Sequence, residues 1–370
     1  MNKAVIAIVV VALVLIGGVV GFMLGESGDS GDPEPAVTGT TGVTATTGET
    51  GTTGTTDLAD DGEDLNGVNL TAYTAGGYGS MDTREDIQLL KNIGSTSVTI
   101  VPTWYVKNSS ANEIKPQSKK TPSDESLGKV IAWAKQAGLR VILKPHVDSL
   151  DETFRGDLQP ADRTKWFDSY EDFIGYYADL ANRVEADAFV VGTELKSLSG
   201  DTDPWKQVIT TVDGKYSGLL TYAANWDEVD QVQFWDVLDL IGVDAYYPLA
   251  SEGQEPSEEE IVSAWATPIG SLQATSDRWG KPVLFTEIGY PTQAGAAAHP
   301  FEVKDGEPED QAAQATAYRA AFSAFADVEW LRGMSWWDWR ADPSEEEAEQ
   351  MRIGYPPEGK EAEKVLDESQ

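Results

Sequence analysis

The sequence predicts an α/β protein: a (β/α)8 (TIM) barrel preceded by an N-terminal transmembrane segment and a disordered Gly/Thr-rich stalk. From about residue 65 onwards, short apolar runs alternate with amphipathic helical patterns in eight successive units, which is typical of a parallel barrel. These runs are predicted to be strands that are buried on both faces. A doubly wound open sheet is the alternative, but no G-x-G-x-x-G or P-loop motif follows any run.

The first 62 residues are predicted to be an anchor and a stalk. Residues 4–24 are uninterruptedly apolar and have about the 20 residues that a membrane-spanning helix needs, so we predict a signal anchor over 1–24. A cleaved signal peptide is the alternative. Lys3 on one side and acidic residues on the other orient the remainder outwards. Residues 25–62 lack aromatic side chains and are predicted to be a low-complexity linker, which leaves 63–370 as a barrel domain at the cell surface, or secreted if the anchor is cleaved.

Eight runs rich in Val, Ile, Leu and Thr supply the predicted strands. Turn residues or polar residues follow each run and separate it from the next helical pattern. The predicted strands lie at 67–73, 97–104, 139–146, 188–194, 218–225, 237–246, 282–287 and 331–337.

Amphipathic patterns between these runs predict the helices. The first, at 82–94, ends at Gly94, because glycine favours the left-handed conformation that closes a helix. The others lie near 123–137, 170–185, 203–213, 257–275, 309–325 and 359–368. Two acidic runs, 251–261 and 341–350, are predicted to be solvated loops and helix N-termini, where carboxylates complement the helix dipole.

Charge and composition exclude several classes of function. The net charge of −35 repels the phosphates of nucleic acids, so we expect no nucleic-acid partner. The chain has no cysteine, which excludes disulfides, thiolate metal sites and cysteine nucleophiles. His146 and His299 are the only histidines, which argues against a histidine-rich metal centre. We therefore predict neither a metal nor an organic cofactor.

The predicted strand ends combine carboxylates with tryptophans, and in this fold the active site lies at the carboxyl ends of the strands. Glu194 and Glu287 end strands four and seven, which stand nearly opposite each other across an eight-stranded barrel. A single glutamate there is often a solvated rim residue, whereas this pair indicates catalysis. The residues at the strand ends are Trp104, His146 with Asp148, Glu194, Asn225 with Trp226, Asp244 with Tyr246, Glu287, and Trp337 with Asp338.

Hydrolysis of a glycosidic bond requires this combination of groups. One carboxylic acid protonates the leaving oxygen, and one carboxylate attacks the sugar or activates water. A separation of about 5–5.5 Å between the two carboxyl groups indicates retention, and one of about 6.5–9.5 Å indicates inversion. Aromatic faces meanwhile stack on the apolar face of a pyranose ring.

Other residues at the strand ends allow two interpretations. His146 could bind the sugar or be a core histidine. Asp148, Asp244 and Asp338 could only orient their neighbours. Side chains alternate along a strand, so either Trp337 or Trp336 faces the barrel mouth, but not both.

Seven motifs at the strand ends resemble those of glycoside hydrolase family 113, a family of clan A, whose members are retaining barrels with glutamates on strands four and seven. The resemblance runs from about Leu65 to Leu366. The motifs are GVNLTAYTAGGYGS, LKPHVD, VVGTELKS, TYAANWDE, IGVDAYYPL, FTEIGYP and MSWWDW.

This resemblance implies Glu194 as the acid/base and Glu287 as the nucleophile. Tyr246 would hold Glu287, and Trp337 would form the floor of the subsite where cleavage occurs. Most of the clan has Asn immediately before the acid/base, where this chain has Thr193, so the partner of the sugar 2-hydroxyl is unassigned. The residues implied to line the sugar cleft are Trp104, His146, Asn225 and Trp226.

The implied substrate is a β-1,4-linked polysaccharide, with endo-β-1,4-mannanase activity on mannan or glucomannan favoured. An enzyme of the same clan that acts on another β-linked glycan, such as a glucan or chitosan, is the first alternative. A cell-surface barrel that binds carbohydrate without cleaving it is the second, although such a protein would be expected to lose one of the two glutamates.

Overall fold

A computed structural model of the chain describes residues 64–304 and 306–369. The predicted anchor (1–24) and linker (25–62) lie outside these residues, as do the two ends of the predicted domain at 63 and 370. Across the described ranges, the helices are all too short or too polar to cross a membrane.

Within residues 64–304 and 306–369, eight parallel strands close into a barrel in the order β1-β11-β10-β9-β8-β7-β5-β2. The predicted barrel is therefore confirmed, and each predicted strand position coincides with a barrel strand. The strands are β1 (Gly67–Thr71), β2 (Ser97–Val101), β3 (Thr103–Val106), β4 (Ile114–Lys115), β5 (Arg140–Leu143), β6 (His146–Ser149), β7 (Ala188–Thr193), β8 (Leu219–Asn225), β9 (Leu240–Asp244), β10 (Val283–Ile288) and β11 (Leu331–Arg340).

Two prolines shorten the barrel strands predicted at 97–104 and 139–146, which is a correction to both predicted ranges. Pro102 separates β2 from β3, and Pro145 separates β5 from β6. A proline has no N–H to donate to the ladder, so the pairing is interrupted there. Beyond the prolines, β3, β6 and β4 form a separate three-stranded sheet at the barrel mouth, in which Thr103 is paired with His146.

The helices form the outer layer, and two of the predicted ones differ from the structure. Helix α3 begins at Arg163 rather than near residue 170, because the Asp162 side chain caps it. The helix predicted at 257–275 is two helices, divided at the buried Trp265. The described helices are α1 (Met81–Asn92), α2 (Asp124–Gln136), α3 (Arg163–Arg183), α4 (Thr202–Asp213), α5 (Glu258–Ala264), α6 (Ala266–Trp279), α7 (Gln311–Phe325), α8 (Glu345–Met351) and α9 (Glu361–Ser369).

The connection between β8 and β9 departs from the regular βα unit. In the described structure, two short 3-10 helices, Val229–Gln231 and Trp235–Val237, replace an α-helix there. The acidic runs begin α5 and α8 as predicted. Ser257 and Ser344 each form a capping box with a glutamate three residues later, so these carboxylates satisfy backbone N–H groups at the helix starts.

The barrel interior changes from apolar to polar towards the carboxyl ends of the strands. An apolar cluster fills the lower interior: Leu65, Ile142, Ala188, Val190, Ala223, Leu240 and Leu284. Side chains alternate along a strand, so the next inward positions on β5 and β10 belong to Lys144 and Thr286, and Asp244 lies inward on β9. All three are buried. The sequence thus builds a polar layer directly beneath the barrel mouth.

Candidate active site

Glu194 and Glu287 reach the barrel mouth through two local irregularities of the backbone. Glu287 lies in β10, where a bulge between Phe285 and Glu287 shifts the register against β9 and turns the side chain inwards. Glu194 directly follows β7 and has a φ of 50°, in the left-handed region that residues other than glycine rarely adopt. Both glutamates are buried, with exposed fractions of 6% and 3% for Glu194 and Glu287.

Glu287 is held by a cation on one oxygen and a hydroxyl on the other. The Lys144 Nζ donates to its Oε1 at 2.5 Å, and the Tyr246 Oη donates to its Oε2 at 2.6 Å. Both donors are buried, so little water competes for these bonds. The carboxylate is thereby fixed in orientation, with its negative charge balanced by Lys144.

Lys144 also binds Asp244, which places one cation between two carboxylates. Its Nζ donates to the Asp244 Oδ1 at 3.0 Å, and the Thr286 Oγ1 donates to the same oxygen at 2.7 Å. Burial, and then the nearby charge of Glu287, raises the pKa of Asp244 to about 7, although Lys144 opposes the shift. Asp244 and Glu287 therefore share Lys144 as a hydrogen-bond partner.

Glu194 has a different environment. Its Oε2 accepts a bond from the Arg155 Nη1 at 2.8 Å, and Asp148 holds the same guanidinium through Nη2 at 2.6 Å. Burial, followed by the charge of Asp244, raises the pKa of Glu194 well above its ordinary value. The positive charge of Arg155 opposes this rise, and the charge of Glu287 adds to it. Glu194 thus retains its proton to a higher pH than an ordinary glutamate does.

His146 and Trp337 form a stacked pair beside Glu287. Their ring centroids are 5.9 Å apart with an interplanar angle of 13°. Burial, together with the charges of Arg155 and Lys144, lowers the pKa of His146 well below its usual range, so the ring is neutral. Its Nε2 is buried without a hydrogen-bond partner among the described residues, and lies 3.7 Å from the Glu287 Oε1. This nitrogen is available to a ligand hydroxyl.

The alternation along β11 places Trp337 rather than Trp336 at the mouth. The Trp336 ring is buried against Tyr318 of α7, with centroids 3.8 Å apart. Asp338, also in β11, accepts bonds from the Thr71 hydroxyl at 2.9 Å and from Arg340 at 3.0 Å. It therefore orients residues of the rim next to Trp337.

Trp104, by contrast, does not join the group at the mouth. Its ring packs against Phe173, Tyr176 and Tyr177 of α3. Tyr105 is instead paired with Asp148 across the small sheet, on the face that carries His146.

Asn225, Thr193 and Trp226 lie at the ends of β7 and β8. The Asn225 Oδ1 and the Thr193 Oγ1 are buried without hydrogen-bond partners among the described residues. The half-buried Trp226 is near Tyr247 and is roughly parallel to Phe301, with ring centroids 5.7 and 6.5 Å away. These side chains offer two polar atoms and an aromatic surface close to the carboxyl end of the barrel.

Sequence reasoning missed three residues of the site. Lys144 ends a buried strand just as the glutamates do, so the same signal could have identified it. Arg155 lies in a 3-10 helix of the loop after β6, and no pattern marks it. Tyr355 lies in the segment between α8 and α9, and its ring centroid is 6.0 Å from that of Tyr246. Burial raises the pKa of Tyr355, and the nearby charge of Glu287 raises it further.

Across residues 64–304 and 306–369, no group of three or more His, Cys, Asp or Glu side chains has an arrangement suited to a metal ion.

Comparison with known proteins identifies the family. The model of Glycoside Hydrolase Family 113 matches residues 70–360. The chain belongs to this family. As a family 113 member it is a glycosidase, and the resemblance of the strand-end motifs is confirmed. No curated protein sequence matches the chain.

Solved structures of the same family are similar over nearly their whole length. A GH113 β-1,4-mannanase in a complex has 26% identity and a TM-score of 0.75, over 83% of this chain and 98% of that one. The GH113 β-mannanase AaManA from Alicyclobacillus acidocaldarius, in complex with ManMIm, has 28% identity and a TM-score of 0.75, over 84% and 98%. A β-glucuronidase from Ruminococcus gnavus, at 15% identity and a TM-score of 0.54, shares the fold alone.

Proposed function

We propose that this family 113 glycosidase is a retaining endo-β-1,4-mannanase with Glu287 as nucleophile and Glu194 as acid/base. The observation that carries the proposal is the contrast between the two glutamates. Lys144 and Tyr246 hold Glu287 as an oriented carboxylate, whereas burial raises the pKa of Glu194 so that it keeps a proton. Two carboxyl groups with such different environments suit the two roles of a glycosidase.

The first step forms a covalent glycosyl-enzyme. A Glu287 oxygen attacks the anomeric carbon, and the bond from that carbon to the glycosidic oxygen breaks. The proton of Glu194 goes to the departing oxygen, which leaves as a hydroxyl group. In the second step Glu194, now ionised, takes a proton from water, and the water oxygen displaces Glu287. Two inversions give net retention.

Arg155 suits this exchange of roles. Its charge favours the ionised form of Glu194, which the second step requires, while burial favours the protonated form required by the first.

Several groups at the mouth support binding of a neutral sugar. Trp337 presents an aromatic face beside His146, and aromatic faces stack on pyranose rings. The Nε2 of His146, Oδ1 of Asn225 and Oγ1 of Thr193 have no hydrogen-bond partners within the described part of the chain, so they are available to sugar hydroxyls. The related structures are described as β-mannanases, which favours mannan over other β-linked glycans.

The substrate is tested by incubating the purified full-length protein with mannan, glucomannan, β-glucan and chitosan, followed by measurement of reducing ends and product sizes. We expect the release of oligosaccharides from mannan and glucomannan. Cleavage confined to β-glucan or chitosan would assign a different sugar. Release of monosaccharide alone would contradict endo action.

Removing Arg155 is expected to shift the pH dependence of the reaction. In an Arg155→Met variant the cation beside Glu194 is lost, so the pKa of Glu194 rises further and the acid form persists to higher pH. The alkaline limb of kcat/KM should therefore move upwards by about one pH unit or more. Arg163→Met is the control, because Arg163 is half-exposed and pairs with Asp201 instead. A limb that stays in place, or moves to lower pH, would contradict the role given to Arg155.

We also propose that the enzyme is displayed at the cell surface. The proposal rests on the sequence of residues 1–62, with its apolar segment and Gly/Thr-rich stretch. Membrane fractionation of the native source, with protease treatment of intact cells, tests it. We expect the protein in the membrane fraction, with its barrel released by external protease. Recovery of the protein only inside protease-treated cells would refute it.

A further inference from the structure

A buried chain of hydrogen bonds connects the backbone next to Glu194 with the end of β8. The Leu195 N–H donates to the Tyr222 Oη at 2.9 Å, and that hydroxyl donates to the Glu228 Oε1 at 2.7 Å. The other oxygen of Glu228 accepts from the Asn225 N–H at 3.0 Å. Tyr222 and Glu228 are fully buried. None of these three bonds involves a side-chain oxygen of Glu194 or Glu287.

The backbone at Glu194 requires such support. Its φ of 50° is costly for a residue with a Cβ, and such a conformation persists only where its surroundings enforce it. The N–H of Glu194 donates to the Ala223 carbonyl at 2.8 Å, and the next N–H, that of Leu195, is held by Tyr222. These two bonds fix the peptide groups on either side of the Glu194 Cα.

Glu228 completes this support from the far side. A buried carboxyl group is costly unless it is hydrogen-bonded, and here Tyr222 and the Asn225 backbone both donate to it. The Glu228 N–H in turn donates to the Asn225 carbonyl at 2.8 Å, which closes a tight turn after β8. One side chain therefore ties together the chain segments that present Glu194 and Asn225.

We propose that Tyr222 and Glu228 are positioning residues that hold the proton of Glu194 in line with the leaving oxygen. The inference rests on the proposed role of Glu194 as acid/base. Loss of either residue should impair proton donation more than nucleophilic attack by Glu287, which lies on another strand.

Leaving-group dependence separates this role from a general loss of structure. Aryl β-mannobiosides with a dinitrophenyl group need no proton from Glu194 to depart, whereas the phenyl compound does. In Tyr222→Phe we expect kcat/KM for the phenyl compound to fall at least about tenfold, which is part of the roughly 10²–10⁴-fold that general acid catalysis contributes. The value for the dinitrophenyl compound should change little. The parameter kcat/KM is used because it reports only the first chemical step.

Tyr170→Phe is the matched control. Tyr170 is also buried, and its hydroxyl donates at 2.9 Å to the carbonyl of Val191 in β7, the strand that Glu194 follows. This hydroxyl does not bond the Leu195 N–H. Its loss removes one hydroxyl behind β7 and should affect both aryl compounds equally.

Glu228→Gln provides an independent variant if Tyr222→Phe is poorly folded. It keeps the size of the side chain but replaces one acceptor oxygen by an amide that cannot accept the Tyr222 or Asn225 bond. The same selective loss on the phenyl compound supports the proposal. Equal losses on both compounds, or no loss in either variant, overturn it. If the wild type cleaves only another aryl β-glycoside, the mannan proposal fails, and the comparison on that sugar still decides the role of Tyr222 and Glu228.

Discussion

Replacement of Glu287 by alanine is expected to lower kcat on mannan by at least about 10⁴-fold, as loss of a nucleophile does in other covalent mechanisms. The covalent intermediate cannot form without this carboxylate, which is the group that Lys144 and Tyr246 hold in place. Azide can enter the vacated space and attack the anomeric carbon directly. We therefore expect partial rescue of Glu287→Ala by azide, with a glycosyl azide of inverted configuration.

Glu194→Ala should respond differently to the same anion. Its nucleophile is intact, so azide attacks the glycosyl-enzyme and the product is a glycosyl azide of retained configuration. Glu185→Ala is the control, because this exposed glutamate precedes β7 with a similar φ of 53°. Its activity should equal that of the wild type. Identical azide products from the two active-site variants would refute the assignment of the roles.

Replacement of Lys144 by methionine is expected to have the second largest effect. The variant leaves two adjacent buried carboxylates, Asp244 and Glu287, without their shared cation. Removing one partner of a buried ion pair typically costs about 3–5 kcal/mol of folding free energy. We expect a loss of stability in this range at pH 7. We also expect kcat to fall by about 10²-fold or more, because the neighbouring like charges of Asp244 and Glu287 disfavour ionisation of both groups.

Two further variants isolate the charge effect of Lys144. Lys360→Met removes another buried amine, but one whose Nζ bonds the Thr292 hydroxyl at 2.6 Å and the Met351 carbonyl at 2.7 Å. It should not change kcat. The double variant Lys144→Met/Asp244→Asn removes one positive and one negative group, so part of the lost stability should return. Denaturant unfolding measures all of these changes. A Lys144→Met protein as stable and active as the wild type would show that the shared cation is dispensable.

Much of the fold follows from local sequence patterns. The eight barrel strands could be located because each is a short apolar run, and the placement of Glu194 and Glu287 followed from counting them. The divided strands were missed because the pattern of apolar residues continues across Pro102 and Pro145, whereas the backbone pairing does not. No helix was predicted between the fifth and sixth strands, and the described structure has only two short 3-10 helices there.

The site itself was only partly predictable. Lys144 and Asp244 follow from alternation, since they point inwards as Ile142 does on β5 and Leu240 on β9. The same alternation gives Trp104 the orientation of Val98 and Ile100, towards the helices. Arg155 and Tyr355 come from irregular segments far apart in the sequence. Only the folded chain brings these two residues to the mouth, so periodicity alone could not identify them.

The most direct test of the mechanism is to trap the covalent intermediate. A 2-deoxy-2-fluoro-β-mannosyl fluoride, or the corresponding mannobiosyl compound, should react once and then turn over slowly, because the fluorine destabilises the transition state of the second step. Mass spectrometry of the intact protein should show the addition of one sugar, and peptide mapping should locate it on Glu287. A sugar attached to any other residue, or continued turnover of the reagent with inversion and no adduct, would contradict the account.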